Sequence, residues 1–135
     1  MPAFTYTTTI RLHLTDAAGI LFFGNYFTLA HDAYEAFVTA SGFSFRSILE
    51  NEPFMVPIVH AEGDYKQPLR VSDIVTIQVG LDKLGESSYT LYYHILNDRG
   101  ELMAALKTIH VVVDKKTFAK IPLLPHLRQA LEKLA

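Results

Sequence analysis

The sequence predicts an α+β domain in which a curved antiparallel sheet of five strands wraps around one long central helix. Three observations predict it. A cleanly alternating strand opens the chain, a long helix with almost no polar face follows, and four strand segments separated by turn signals come after that helix. A helix that is apolar nearly all round has to be enclosed. Successive antiparallel strands, with the first strand returning beside them, supply the enclosure. The 135 residues make one domain, residues 1–135; half are apolar and 19% are charged, enough to fill a single interior.

Phe4 to Leu14 is the first strand, with Phe4, Tyr6, Thr8, Ile10, Leu12 and Leu14 on one face and Thr5, Thr7, Thr9, Arg11 and His13 on the other. A glycine-bracketed turn, Gly19 to Gly24, leads into a helix that runs without a breaker from Asn25 to Ser41 and stops at Gly42. At about 100° per residue its polar side chains, Thr28, His31, Asp32, Glu35 and Thr39, fall on one narrow stripe, facing solvent or another subunit. Ser44 introduces a short helix over Phe45 to Asn51, and Pro53 and Pro57 return the chain to extended form. Strands follow over Ile58–Tyr65, Ile74–Lys83, Ser88–Leu96 and Leu102–Asp114. Their connections are Pro68–Asp73, Gly85-Glu86 and Asn97-Asp98-Arg99-Gly100. An amphipathic helix, Pro125 to Leu134, ends the chain.

Composition removes several function classes. The net charge is −2, and no basic run exceeds Lys115-Lys116, which argues against nucleic acid. There is no cysteine, hence no disulfide, thiolate metal site or thiol nucleophile. Met1-Pro2-Ala3-Phe4-Thr5 carries no charged-then-apolar leader and no apolar run is long enough to cross a bilayer, so a soluble cytoplasmic protein with no membrane partner is expected.

The chemistry points to Leu14-Thr15-Asp16-Ala17-Ala18-Gly19-Ile20-Leu21-Phe22-Phe23-Gly24-Asn25-Tyr26. Asp16 stands before an apolar turn that runs into the long helix, too far ahead of Asn25 to be an ordinary cap. The helix dipole favours its charged form. The amides of Phe23 and Gly24, at the helix start, have no intrahelical acceptor. A carboxylate beside free amides is the pair of parts needed to cleave an activated carbonyl.

This turn resembles that of the hot-dog-fold acyl-CoA thioesterases, in particular the 4-hydroxybenzoyl-CoA thioesterase branch, whose signature is an Asp, a small pair and Gly, an aromatic run and Asn-Tyr. The likeness continues through Tyr65-Lys66-Gln67-Pro68-Leu69-Arg70-Val71-Ser72-Asp73 and Thr108-Ile109-His110-Val111-Val112-Val113-Asp114 to Ile121-Pro122. His31-Asp32-Ala33-Tyr34-Glu35 is similar to the helix of thioesterases that hydrolyse 1,4-dihydroxy-2-naphthoyl-CoA in phylloquinone or menaquinone synthesis. The resemblance implies Asp16 as the catalytic carboxylate, acting as nucleophile or as base toward water, with the nucleophilic role favoured because an ionised Asp is a weak base near neutrality. It implies an oxyanion hole from the Phe23 and Gly24 amides, an acyl pocket drawn from Phe22, Phe23 and Phe27, a supporting place for Asn25, and no cofactor. It further implies an acyl-CoA partner and a homo-oligomer, dimer or tetramer, with sites at the subunit boundary. Two positions depart from the pattern. Leu14 stands where the branch commonly has an acid, and Phe23 stands where relatives acting on short or aliphatic acyl groups carry His, which favours a flat aromatic acyl group.

Other polar residues carry plainer readings. His31, Asp32 and Glu35 have no third ligand group at metal-binding spacing, and Glu35 is a poor match for the acid of the second thioesterase branch, which lies near the helix start with different neighbours. His60, His94, His110 and His126 read as structural. Lys66, Arg70 and Lys107 either meet CoA phosphates or are scattered surface cations. Aliphatic acyl-CoA hydrolysis, non-catalytic acyl-CoA binding and dehydration are the competing activities.

Overall fold

The computed structural model describes residues 3–135, leaving Met1 and Pro2 of the opening segment outside the described residues. The chain runs β1 (Phe4–Thr9), α1 (Asn25–Ala40), α2 (Phe45–Asn51), β2 (Phe54–Met55), β3 (Ile58–Tyr65), β4 (Ile74–Leu84), β5 (Ser88–Leu96), β6 (Leu102–Val111), β7 (Val113–Asp114) and α3 (Pro125–Glu132). Five strands form one antiparallel sheet in the order β1-β4-β5-β6-β3. The expected class, a sheet around one helix, is therefore the observed one.

Alternation explains the packing. Val75, Ile77 and Val79 of β4, Tyr89, Leu91, Tyr93 and Ile95 of β5, and Ala104 and Leu106 of β6 are buried. They share one core with Leu29, Ala30, Ala33 and Phe37 of α1. The polar stripe of α1 is exposed at Thr28, His31, Asp32, Glu35 and Thr39, as the helical period required. Ser44 caps α2 by accepting the Ser47 amide at 3.2 Å. α3 buries Leu127, Ala130 and Leu131.

Three elements differ from the sequence reading. The first strand ends at Thr9, whose register mate Ile74 opens β4; Ile10 still donates to the Asp73 carbonyl and accepts the Ser72 amide, both at 2.8 Å, and the pairing stops there. The chain then forms a 3-10 turn over Leu12–Leu14, which leaves Leu12 74% exposed while Leu14 stays buried. The final strand is broken at Val112, whose amide turns to Ser87, and β7 pairs instead with the short β2, which the sequence reading missed. The last helix stops at Glu132, short of Leu134.

The sheet has two edges, β1 and β3. β3 is exposed along its whole length, Val59 by 59%. Gly63 of this strand lets Phe27 of α1 approach closely: a Cβ there would lie 3.4 Å from Phe27 Cζ and would collide with the Leu106 side chain.

Candidate active site

Asp16 occupies a tight turn between two short bridges, Thr15 with Leu21 and Ile20 with Arg70. Its amide donates to the Ile20 carbonyl at 2.9 Å, and its own carbonyl accepts the Gly19 amide at 3.0 Å. Gly19 adopts φ +77°, a backbone form that favours glycine and closes the turn. The Ala18 amide donates to Asp16 Oδ1 at 2.8 Å. This bond orients the carboxylate, and among the described residues Oδ2 has no hydrogen-bond partner.

Leu14, the residue that departs from the family pattern, ties this turn to the helix. Its carbonyl accepts both Asn25 Nδ2 at 2.8 Å and the Phe22 amide at 3.1 Å. Asn25 thus acts as a clamp between turn and helix start. The helix opens with tight bonds from the amides of Asn25, Tyr26 and Phe27 to the carbonyls of Phe22, Phe23 and Gly24, at 2.8, 3.3 and 3.3 Å. The amides of Phe23 and Gly24 donate to no acceptor among the described residues. Two unspent donors therefore stand at the positive end of α1.

A surface hollow of about 370 Å³ brings together Asp16, Phe22, Phe23, Tyr26, Tyr65 and Lys66. Its aromatic walls touch one another: ring centroids are 4.7 Å apart for Phe22–Phe23, 6.3 Å for Phe23–Tyr65 and 4.7 Å for Tyr26–Tyr65. Phe22 and Phe23 remain 45% and 62% exposed, an unusual placing for two large apolar rings unless something flat covers them. Burial raises the Tyr26 phenol above its ordinary range, so it stays protonated at neutral pH.

Phe27 and Gly24 border a second hollow, of about 450 Å³, further along the groove between α1 and β3. The three expected pocket aromatics are thus divided: Phe22 and Phe23 lie on the Asp16 side, and Phe27 stands over Gly63 on the other. Lys66 lies at the Asp16 hollow, whereas Lys107 is paired with Asp82 at 3.2 Å. The Arg70 backbone supports the turn through its bridge to Ile20. Tyr65 was not singled out as a site residue by sequence reasoning. Its place at the end of the edge strand next to the helix start depends on strand order, which no local spacing encodes. Among the described residues, no three His, Cys, Asp or Glu side chains gather as a metal site, and no helix is long and apolar enough to cross a membrane.

Comparison with known proteins agrees with this architecture. Residues 10–131 match the family model of the Thioesterase-like superfamily. A 1,4-dihydroxy-2-naphthoyl-CoA hydrolase from Rippkaea orientalis is 36% identical over 129 residues, covering 94% of each chain. Among solved structures, a 1,4-dihydroxy-2-naphthoyl-CoA thioesterase from Synechocystis superposes with a TM-score of 0.92 at 26% identity, over 98% of this chain and 97% of that one. A gentisyl-coenzyme A thioesterase does so with a TM-score of 0.83 at 29% identity, over 92% and 98%.

Proposed function

The chain belongs to the Thioesterase-like superfamily, and we propose that it hydrolyses an aromatic acyl-CoA, 1,4-dihydroxy-2-naphthoyl-CoA in the first place, to the free acid and CoA. The observation that carries the reading is the Asp16 carboxylate, oriented by the Ala18 amide and sharing an aromatic hollow with Phe23 at a helix start that keeps two unspent amides.

In this reading the thioester carbonyl lies between the two. Oδ2 of Asp16 attacks the carbonyl carbon, and the charge that develops on its oxygen is held by the Phe23 and Gly24 amides. One such donor is typically worth roughly 10²–10³ in rate. The C–S bond breaks, CoA leaves as the thiolate and takes up a proton, and water opens the acyl-Asp16 anhydride to free acid and carboxylate. In the base alternative, Asp16 takes a proton from water, which attacks the same carbon. Exposed Phe22 and Phe23 supply an apolar wall beside the reacting thioester. Lys66, which borders the Asp16 hollow, would meet the CoA phosphates in this reading.

The proposal includes a homo-oligomer, dimer or tetramer. An edge strand exposed along its length, Ile58, Val59 and Tyr65 included, is a ready pairing surface for a second copy. It borders both hollows, so pairing would place them at the subunit boundary.

The test is release of free CoA, read with a thiol reagent, from 1,4-dihydroxy-2-naphthoyl-CoA, 4-hydroxybenzoyl-CoA and a medium-chain aliphatic thioester. Turnover highest on the first supports the reading. Tight binding with no turnover on any of them would instead favour a non-catalytic acyl-CoA-binding module.

A further inference from the structure

The hollow between α1 and β3 has a floor unlike its walls. Phe27, Ala30, Ile58 and Ala61 make part of its wall apolar and the exposed Thr28, His31 and Asp32 of α1 also border it, while Tyr93 and Thr108 border it from the sheet, and both are buried. Their hydroxyls meet at 2.8 Å. Thr108 Oγ1 in turn lies 2.7 Å from Nε2 of His110, which is 1% exposed. The other ring nitrogen, Nδ1, is buried and has no hydrogen-bond partner among the described residues.

That orphan fixes the direction of the chain of hydrogen bonds. A neutral imidazole carries one N–H. Were the proton on Nδ1, a buried N–H would go without an acceptor, which is rarer and costlier than an unused lone pair. The proton therefore sits on Nε2 and is donated to Thr108 Oγ1. The two hydroxyls then hold two hydrogens but share only one bond, so one O–H is left over. A hydroxyl that accepts while it donates makes the stronger bond. The favoured order is His110 to Thr108 to Tyr93, and the unspent hydrogen is that of Tyr93.

We propose that Tyr93, oriented through Thr108 and His110, is a specificity-determining residue whose hydroxyl donates to a ring oxygen of the acyl group, remote from the thioester. The proposal rests on the thioesterase reading. Gly24 borders this same hollow, so an acyl carbonyl held by its amide directs the body of the acyl group toward Tyr93 and Thr108. A hollow whose apolar part, Phe27, Ala30, Ile58 and Ala61, ends on one buried donor fits a planar bicyclic ring that bears an oxygen. It rejects the ring without that oxygen, because the donor then stays unpaired.

Binding of the free acids isolates this contact from the chemistry. Titration calorimetry with 1,4-dihydroxy-2-naphthoate and 1-hydroxy-2-naphthoate is expected to show about a tenfold preference for the first in the unaltered protein. Tyr93→Phe should bring that ratio to within about twofold, by weakening only the dihydroxy acid. Thr108→Val should do the same by releasing the orientation, and Thr108→Ser should restore the preference. Equal binding of both acids by the unaltered protein, or an unchanged ratio in Tyr93→Phe, overturns the proposal. The parallel CoA-release assay separates the two readings. Discrimination between acids with no thioester turnover sinks the hydrolase and leaves this contact standing; turnover without discrimination does the reverse.

Discussion

The imidazole of His110 lies flat against the ring of Tyr89, with 4.8 Å between centroids and 7° between planes. Burial first, and the nearby charge of His31 second, push its pKa from 6.5 down to about 3. Above 6.5 the side chain is neutral folded or unfolded, and contributes no pH dependence. Below that value the unfolded chain takes up a proton that the folded protein refuses. Stability therefore falls as pH falls, until the folded state also protonates near 3. Between pH 7.5 and 5 the loss should be about 2 kcal/mol. Urea midpoints measured at those two pH values should converge strongly once His110→Phe removes the titration. A variant with the same acid sensitivity would show that another group is responsible.

The hydroxyls of Tyr34 and Tyr89 meet at 2.7 Å in the interior. Burial raises both phenols, so each remains protonated and the bond persists across the working pH range. Either Tyr→Phe change strands the other hydroxyl and should cost about 1–2 kcal/mol. Removing both should cost little more than removing one, because the stranded group goes as well. Chemical denaturation of the two single variants and the double variant closes the cycle; additive losses would mean that the pair is not coupled.

Gly63 is where the edge strand and the central helix come closest. A branched side chain there must push aside Leu106 and press on Phe27. Gly63→Val should lower stability by about 1–3 kcal/mol and, by driving Phe27 into the groove, raise KM for aromatic thioesters. An unaltered KM would free this part of the groove from any role in acyl binding.

Much of this architecture was legible before the structure. The inverted polarity of Asn25–Ala40 announced an enclosed helix, and the strands from Ile58 to Leu96 lie where alternation and turn residues put them. What failed was alternation without a partner. Leu12 continues the period of the first strand, yet the ladder has already ended, and local pattern carries no record of where a neighbouring strand begins. The site divides in the same way. Asp16, Phe22, Phe23 and Gly24 are close in sequence and were readable as one turn. Tyr65, Tyr93 and Thr108 come to the groove through sheet order, and His110 looked like an isolated strand histidine because the rings it stacks on, Tyr34 of α1 and Tyr89 of β5, come from other elements and only Thr108 is local.

Phe23 separates side chain from backbone. Its ring is a wall of the Asp16 hollow, while its amide is the unspent donor. Phe23→Ala keeps the amide, so KM for an aromatic acyl-CoA should rise several-fold while kcat changes little. A fall in kcat of about 10²-fold or more would assign the ring a part in the chemistry.

Asp16→Asn removes both nucleophile and base and keeps the side chain's shape and its acceptor for the Ala18 amide. The variant should show the same far-ultraviolet circular dichroism and melting behaviour as the unaltered protein. The most direct measurement is its rate of CoA release from 1,4-dihydroxy-2-naphthoyl-CoA at saturating substrate. The carboxylate mechanism predicts a loss of about 10³-fold or more; a folded variant that turns over at the unaltered rate contradicts it.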